Sequence, residues 1–180
     1  MKFFINFLTI SRILLGPIIF ILILYWEAFL ASLFLFLFAS ISDYFDGALA
    51  RKYNLSSELG EVLDPIADKI LVLFMLLALA LYFSSIYIGF ISCLILAREF
   101  WVSALRDLNA RNLNASATQV SFLAKLKTTV QLIAIGFYLF GLSIESTFLV
   151  FLADFILFMA LIITMQTGLA YSLKTFSKFS

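Results

Sequence analysis

Six apolar segments, most of them close to the length that crosses a lipid bilayer, dominate this sequence. They fall at 12–26, 29–50, 66–83, 86–105, 128–142 and 147–170. A spanning helix needs about 20 mostly apolar residues, and 64% of this chain is hydrophobic while 13% is charged. A soluble domain cannot bury such a share of apolar side chains. We therefore expect an all-α integral membrane protein with six transmembrane helices, forming a single domain over residues 1–180. A short interfacial helix within the first ten residues is expected to precede them.

The basic residues are divided unevenly between the segments that join these helices. The three short connections contain Glu27 and Glu145 but no lysine or arginine. The two longer connections and the two ends of the chain contain Lys2, Arg51, Lys52, Arg106, Arg111, Lys125, Lys127, Lys174 and Lys178. Because basic residues concentrate on the cytoplasmic side of membrane proteins, we expect both termini and both longer connections to face the cytoplasm. The net charge of +1 and the lack of a basic stripe argue against nucleic acid as a partner.

One polar stretch, residues 43–69, interrupts the apolar sequence with four Asp, two Glu, one Arg and two Lys. Its first half places two acids and two small residues on one helix face, at i, i+3, i+4 and i+7: Asp43, Asp46, Gly47 and Ala50. Its second half repeats the pattern with Gly60, Asp64, Ala67 and Asp68. Small residues allow a helix or a ligand to approach closely. The pattern predicts two acidic faces that meet across a short loop.

Four carboxylates in a medium of low dielectric either become protonated or bind a cation. The chain contains no histidine, and ligand sets made only of oxygen suit hard cations such as Mg²⁺, Mn²⁺ or Ca²⁺. Two such ions can share bridging carboxylates and polarise a phosphoryl group. Two alternatives stay open on spacing alone. The acids either form ion pairs with Arg51, Lys52 and Lys69, or line an ion pathway in a transporter.

Pro65 lies between the two acids of the second half. Proline disrupts the interior of a helix but is tolerated in its first turn. We therefore expect either that Asp64 lies near a helix start or that the helix kinks there.

The spacing Asp43-x2-Asp46-Gly47-x2-Ala50-Arg51-x8-Gly60-x3-Asp64-x3-Asp68 resembles the signature of the CDP-alcohol phosphatidyltransferases at all eight positions. The spacing Asn6-x2-Thr9-x2-Arg12 is similar to the opening helix of that family. The segments "AREFWVSALRD" and "AKLKTTVQ" resemble bacterial members that use sn-glycerol 3-phosphate as acceptor. The resemblance implies transfer of the phosphatidyl group from CDP-diacylglycerol to that acceptor, with release of CMP. It also implies a homodimer in a bacterial inner membrane, surrounded by lipid.

The resemblance further implies a role for each residue of the signature. Asp43, Asp46 and Asp64 would bind one metal, and Asp43, Asp64 and Asp68 a second, with two Mg²⁺ expected and Mn²⁺ as an alternative. Asp68 would also be the base that takes the hydroxyl proton. The nucleotide side would be formed by Gly47, Ala50, Arg51, Gly60, Asn6 and Thr9.

A phosphorylated acceptor is an anion and needs cations. We expect a phosphate pocket formed by Arg98, Arg106, Lys125 and Lys127, with Lys69 and Asp107 as further candidates, and we expect Glu99 to point elsewhere. The alternatives are a buried ion pair for Arg98 and contacts with lipid phosphate for the lysines. Asp154 is an intramembrane acid, which normally has a partner, but the sequence does not identify it.

Three other functions remain to be distinguished. Another member of the family would use phosphatidylglycerol, inositol phosphate or serine as acceptor, although the predicted phosphate pocket favours an anionic acceptor. A small cation transporter would use the same acids, but it has no need of the Asp-Gly-x2-Ala-Arg core. A membrane scaffold would tolerate the loss of any one of the acids.

Overall fold

Six α-helices form the described part of the protein in a computed structural model that covers residues 2–53, 58–111 and 122–177. Side chains are described at 9–42, 63, 65–111 and 126–177. The helices are α1 (Lys2–Trp26), α2 (Phe29–Tyr53), α3 (Glu58–Tyr82), α4 (Ile86–Arg111), α5 (Phe122–Ser143) and α6 (Thr147–Phe176). Five of them are long and apolar enough to cross a membrane, and α2 contributes a shorter apolar stretch, Phe29–Ser42. The predicted all-helical membrane class is confirmed.

The helices extend further into the polar sequence than the apolar segments indicated. α1 begins at Lys2 and continues without interruption to Trp26, so the expectation of a separate interfacial helix in the first ten residues is wrong. α3 begins at Glu58 and continues through Pro65, so Asp64 does not lie in its first turn; a kink at the proline, the other expectation, stays a prediction. Polar residues end an apolar segment without ending a helix, because the backbone hydrogen bonds of the helix continue through them.

Three tight turns join the helices in pairs, α1 to α2, α3 to α4 and α5 to α6. Each contains one residue in the left-handed region, Glu27 (φ 48°), Ser84 (φ 48°) and Glu145 (φ 55°). This conformation lets a following N–H group bind an open carbonyl of the preceding helix. In the third turn the N–H of Ser146 donates to the carbonyl of Gly141 at 2.8 Å, and similar bonds close the other two. Because the helices alternate in direction, all three turns lie at the same end of the bundle.

The helix pairs pack into one bundle around a shared apolar core. α1 packs against α2 and α3, α4 packs against α3 and α6, and α5 packs against α2 and α6. The largest fully buried apolar side chains are Tyr138, Phe36, Ile19, Ile23, Met75, Leu76, Leu79, Ile95, Ile135, Leu139 and Leu157. α1 therefore supports both α2 and α3, the two helices that carry the acids.

An apolar cavity of about 450 Å³ lies between α2 and α5. Its lining is Leu33, Phe36, Leu37, Ser40, Thr129, Leu132, Ile133, Gly136, Phe137 and Phe140. A Cβ atom added to Gly136 would meet nothing within 4 Å. The bundle is therefore loosely packed along this boundary.

The boundary between α1 and α3 is much tighter. A Cβ atom at Gly16 would lie 3.2 Å from Cδ2 of Phe74 and 3.6 Å from the carbonyl oxygen of Ile70. Small residues at helix crossings allow this close approach in membranes. Gly16 lies one helical turn after Arg12, so the glycine also brings Arg12 against α3.

We expect Gly16→Leu to destabilise the protein, because its side chain would force α1 away from α3. Overpacking of this kind typically costs about 1–3 kcal/mol. The control is Gly136→Leu, which makes the same change in the middle of a helix but beside the apolar cavity. Thermal unfolding of both purified variants in detergent provides the measurement. Equal stability of the two variants would contradict the close approach at Gly16.

Candidate active site

The four predicted metal ligands lie on two helices that both contact α1. Asp43 and Asp46 belong to α2, and Asp64 and Asp68 belong to α3. Because both stretches are helical, the expected i, i+3 and i, i+4 spacings apply. Of the four, only Asp68 has a described side chain. The other predicted site residues whose side chains lie outside the described set are Asn6, Gly47, Ala50, Arg51, Gly60 and Lys125.

Asp68 forms an ion pair with Arg12 across the close contact of α1 and α3. Nη1 of Arg12 donates to Oδ1 of Asp68 at 2.7 Å. The Arg12 side chain is 1% exposed and that of Asp68 is 41% exposed. Thr9, which was predicted to face the nucleotide, is fully buried. This pair was not expected from the sequence. The available signal was an arginine inside an apolar segment, since a charge in that position requires a partner.

Asp68 suits a hard cation in two respects. Its carboxylate supplies oxygen atoms, and it is 41% exposed while Arg12 binds one of its oxygens. Among the described side chains there is no group of three or more potential metal ligands, but Asp43, Asp46 and Asp64 are outside that set. Asp68 is therefore the one predicted metal ligand whose surroundings the structure describes, and its carboxylate chemistry is compatible with an oxygen-ligated cation.

A second charged group lies between α4 and α5. Nη1 of Arg98 donates to Oε1 of Glu99 at 3.1 Å, and Nζ of Lys127 donates to the same oxygen. Arg98 is 7% exposed, Lys127 8% and Glu99 18%. The expectation that Glu99 points elsewhere is wrong. Its long side chain reaches the neighbouring cation because two buried positive charges need a counter-charge.

α6 makes room for the arginine of this group. Nη2 of Arg98 donates to Oγ1 of Thr167 at 2.8 Å. A Cβ atom at Gly168 would lie 2.9 Å from both Cγ and Nε of Arg98. Only glycine leaves this space free, so α6 holds the arginine stem against its backbone. Arg98 therefore forms the buried ion pair that the sequence left open as an alternative, but with Glu99 and not with an aspartate.

Two more cations surround this group. Arg106 lies 5.9 Å from the ring centroid of Tyr171, within the range of a cation–π contact, and it is close enough to repel Arg98 and Lys127. Nζ of Lys69 donates to Oγ of Ser103, and the lysine attracts Glu99 electrostatically. The structure therefore brings together Arg98, Arg106 and Lys127, three of the four cations predicted for the phosphate pocket, and Lys69, one of the two further candidates. We call these four cations and Glu99 the basic cluster.

Asp154, whose partner the sequence did not identify, lies near the end of the bundle that carries the tight turns. The hydroxyl of Tyr138 donates to its Oδ1, and the hydroxyl of Tyr87 donates to its backbone oxygen at 3.1 Å. Both donors are aromatic residues in apolar segments, which gave no sign of this role. Asp154 therefore links α4, α5 and α6 away from the basic cluster.

Comparison with known proteins gives these residues a context. The family described as CDP-alcohol phosphatidyltransferase matches residues 4–170, a range that contains the acids and the basic cluster. The chain belongs to the CDP-alcohol phosphatidyltransferase family. The resemblance found in the eight-position signature is thereby confirmed.

Three relatives of this family illustrate the likeness. A protein of Rickettsia typhi is 42% identical over 171 residues, covering 92% of this chain and 93% of the relative. Proteins of Shigella flexneri and Escherichia coli K12 are each 34% identical over 168 residues, covering 91% of this chain and 90% of their own length. All three are named CDP-diacylglycerol–glycerol-3-phosphate 3-phosphatidyltransferase.

We expect Tyr138→Phe to lower the free energy of unfolding by about 1–3 kcal/mol, because Asp154 loses a hydrogen bond inside the bundle. Tyr25→Phe removes a hydroxyl from a side chain that is 77% exposed and serves as the control. Thermal unfolding in detergent measures both. Equal stability of Tyr138→Phe and Tyr25→Phe would show that the contact with Asp154 contributes nothing.

Proposed function

We propose that this protein transfers the phosphatidyl group of CDP-diacylglycerol to sn-glycerol 3-phosphate, giving phosphatidylglycerol phosphate and CMP. The observation that carries the proposal is the position of the basic cluster, with its buried Arg98 and Lys127, beside Asp68 of α3. Asp68 and Lys69 are consecutive residues, and Asp68 binds Arg12 of α1 while Lys69 binds Ser103 of α4. A metal-binding acid and a phosphate-binding cluster would therefore lie side by side, as a reaction between two phosphorylated substrates requires. The names of the relatives support the same donor and acceptor.

On the donor side, we assign two Mg²⁺ to Asp43, Asp46, Asp64 and Asp68, with Mn²⁺ as an alternative. When bound, such ions neutralise the diphosphate and stabilise the charge that develops as CMP leaves. Arg51 can form a forked contact with phosphate. Gly47, Ala50 and Gly60 leave space for the nucleotide close to the helix backbones, with Asn6 and Thr9 contributing from α1.

Asp68 is our choice for the base that takes the proton of the attacking hydroxyl. Its partial exposure makes it reachable for a substrate, whereas Arg12 is buried beneath it. The arginine fixes the carboxylate on one side, so that a proton acceptor is held in one place while the acceptor alcohol arrives.

On the acceptor side, Arg98, Arg106, Lys125 and Lys127 would bind the phosphate of sn-glycerol 3-phosphate. Arg98 and Lys127 are almost completely buried, and cations in such a place interact strongly with an anion because water does not screen them. Free serine has no phosphate and would leave Arg98 and Lys127 with the single carboxylate of Glu99 as their counter-charge. The cluster therefore favours a phosphorylated acceptor.

We further propose that the chain acts as a single domain over residues 1–180, as a homodimer in a bacterial inner membrane. Both termini and the acids would face the cytoplasm. In support, the three tight turns contain no lysine or arginine, as expected of the opposite side of the membrane. The turns share one end of the bundle, so the polar ends of α2 and α3 lie at the other end, and the proposed orientation would give them access to soluble sn-glycerol 3-phosphate and let CMP leave into the cytoplasm.

We expect CMP release to require both a divalent metal and the acids. Purified protein in detergent is given CDP-diacylglycerol, with sn-glycerol 3-phosphate, serine, inositol phosphate or phosphatidylglycerol in parallel. EDTA should abolish release, and so should Asp43→Asn, Asp64→Asn or Asp68→Asn, because an amide binds a metal ion poorly. Glu145→Gln, in a distant turn, is the control. Normal release by any of the three variants would contradict the two-metal site, and release with a different acceptor alone would contradict the proposed substrate.

We expect Arg106→Ala to raise the KM for sn-glycerol 3-phosphate by about tenfold, the effect of losing one charge-assisted contact. The KM for CDP-diacylglycerol should change little. Arg111→Ala, which removes an exposed arginine from the last turn of the same helix, is the control. A larger change in the KM for CDP-diacylglycerol would place Arg106 on the nucleotide side.

A further inference from the structure

Glu99 is the carboxylate that Arg98 and Lys127 of the basic cluster share. One of its oxygens, Oε1, accepts hydrogen bonds from both Arg98 of α4 and Lys127 of α5. Among the described residues, α4 and α5 do not pack directly against each other, although each packs against α6. The contact between Glu99 and Lys127 therefore bridges two helices across a space between them.

The charges of the cluster are unequal. Among the described side chains, Arg98, Lys127, Arg106 and Lys69 all lie within electrostatic reach of Glu99 or of one another. One negative charge therefore faces four positive charges. Two of these cations, Arg98 and Lys127, are buried and share the single carboxylate of Glu99, so an incoming dianion would supply them with further negative charge.

The cluster also retains unused hydrogen-bonding capacity. Nε of Arg98 is buried and has no hydrogen-bond partner among the described residues. A buried donor without an acceptor is costly, and a guanidinium binds a phosphate with two of its nitrogens. The cluster is thus ordered by Glu99 without being saturated by it.

We propose that Glu99 is a positioning residue that holds Arg98 and Lys127 in place for the phosphate of the acceptor. Without its charge, the two cations would repel each other in a medium of low dielectric. Each long side chain would then turn towards water or lipid headgroups. With Glu99 present, the two donors are already fixed when the phosphate arrives, and less conformational freedom is lost on binding. This inference rests on the proposed function, because it assigns a role within the acceptor pocket.

The test is the kinetics of Glu99→Gln, which keeps the size of the side chain and removes its charge. We expect the KM for sn-glycerol 3-phosphate to rise about tenfold, since the loss of the bridging charge weakens two charge-assisted bonds. The KM for CDP-diacylglycerol should stay within about twofold. Glu145→Gln makes the same chemical change in a turn at the other end of the bundle and should alter neither.

A double-mutant cycle distinguishes positioning from a general loss of structure. If Glu99 acts by holding Lys127, Glu99→Gln should add little to the effect of Lys127→Met on the acceptor KM. Full additivity of the two effects would overturn the proposal. So would a lower acceptor KM in Glu99→Gln, because it would mean that Glu99 competes with the phosphate for the cations.

The acceptor KM of Glu99→Asp provides a second test if Glu99→Gln does not fold. It keeps the charge but withdraws the carboxylate by one methylene group, so that it no longer reaches both cations. We expect an acceptor KM raised by a smaller factor than in Glu99→Gln, and an unchanged value would overturn the proposal. Failure of the proposed function looks different, because the unaltered protein would then release no CMP with sn-glycerol 3-phosphate.

Discussion

The charged side chains placed among the apolar helices need polar or charged partners, and this requirement organises the bundle. Arg12 is buried in α1 and is matched by Asp68 of α3. Arg98 and Lys127 lie in α4 and α5 and share Glu99. A buried charge without a partner costs several kcal/mol, so these pairs select one arrangement of helices among the many that would bury the same leucines and phenylalanines.

Glycine residues supply the space that the charges use. Gly16 lets α1 approach α3 one turn away from Arg12, and Gly168 gives the stem of Arg98 a place against α6. An apolar side chain gains little free energy when it moves from lipid tails to the surface of a neighbouring helix. Close contact between helix backbones therefore contributes much of the packing energy. The two glycines therefore leave the space in which the side chains of the two buried arginines, Arg12 and Arg98, lie.

Much of this arrangement could be predicted from the sequence, and the failures have a common cause. The apolar segments predicted the six helices, and the spacing of the residues from Asp43 to Asp68 indicated the family, because both patterns lie within short stretches of sequence. The basic residues gave most of the cluster. The partner of Arg12, the position of Glu99 and the donors to Asp154 depend instead on which helices are neighbours. The length of α1 was also misjudged, because hydropathy reports where lipid ends and not where a helix ends.

The three tight turns have a mechanical consequence. Each closes a pair of helices at the same end through a left-handed residue and a hydrogen bond to an open carbonyl. The two helices of each pair are therefore fixed to each other at the turn. A change in the angle between them displaces their ends least at the turn and most at the opposite end. The tips of α2, α3 and α4 carry the acids, Lys69 and Arg106. A small change of angle at a turn would widen the gap between these groups most, which is where the proposed site would admit a lipid nucleotide and a small phosphate ester.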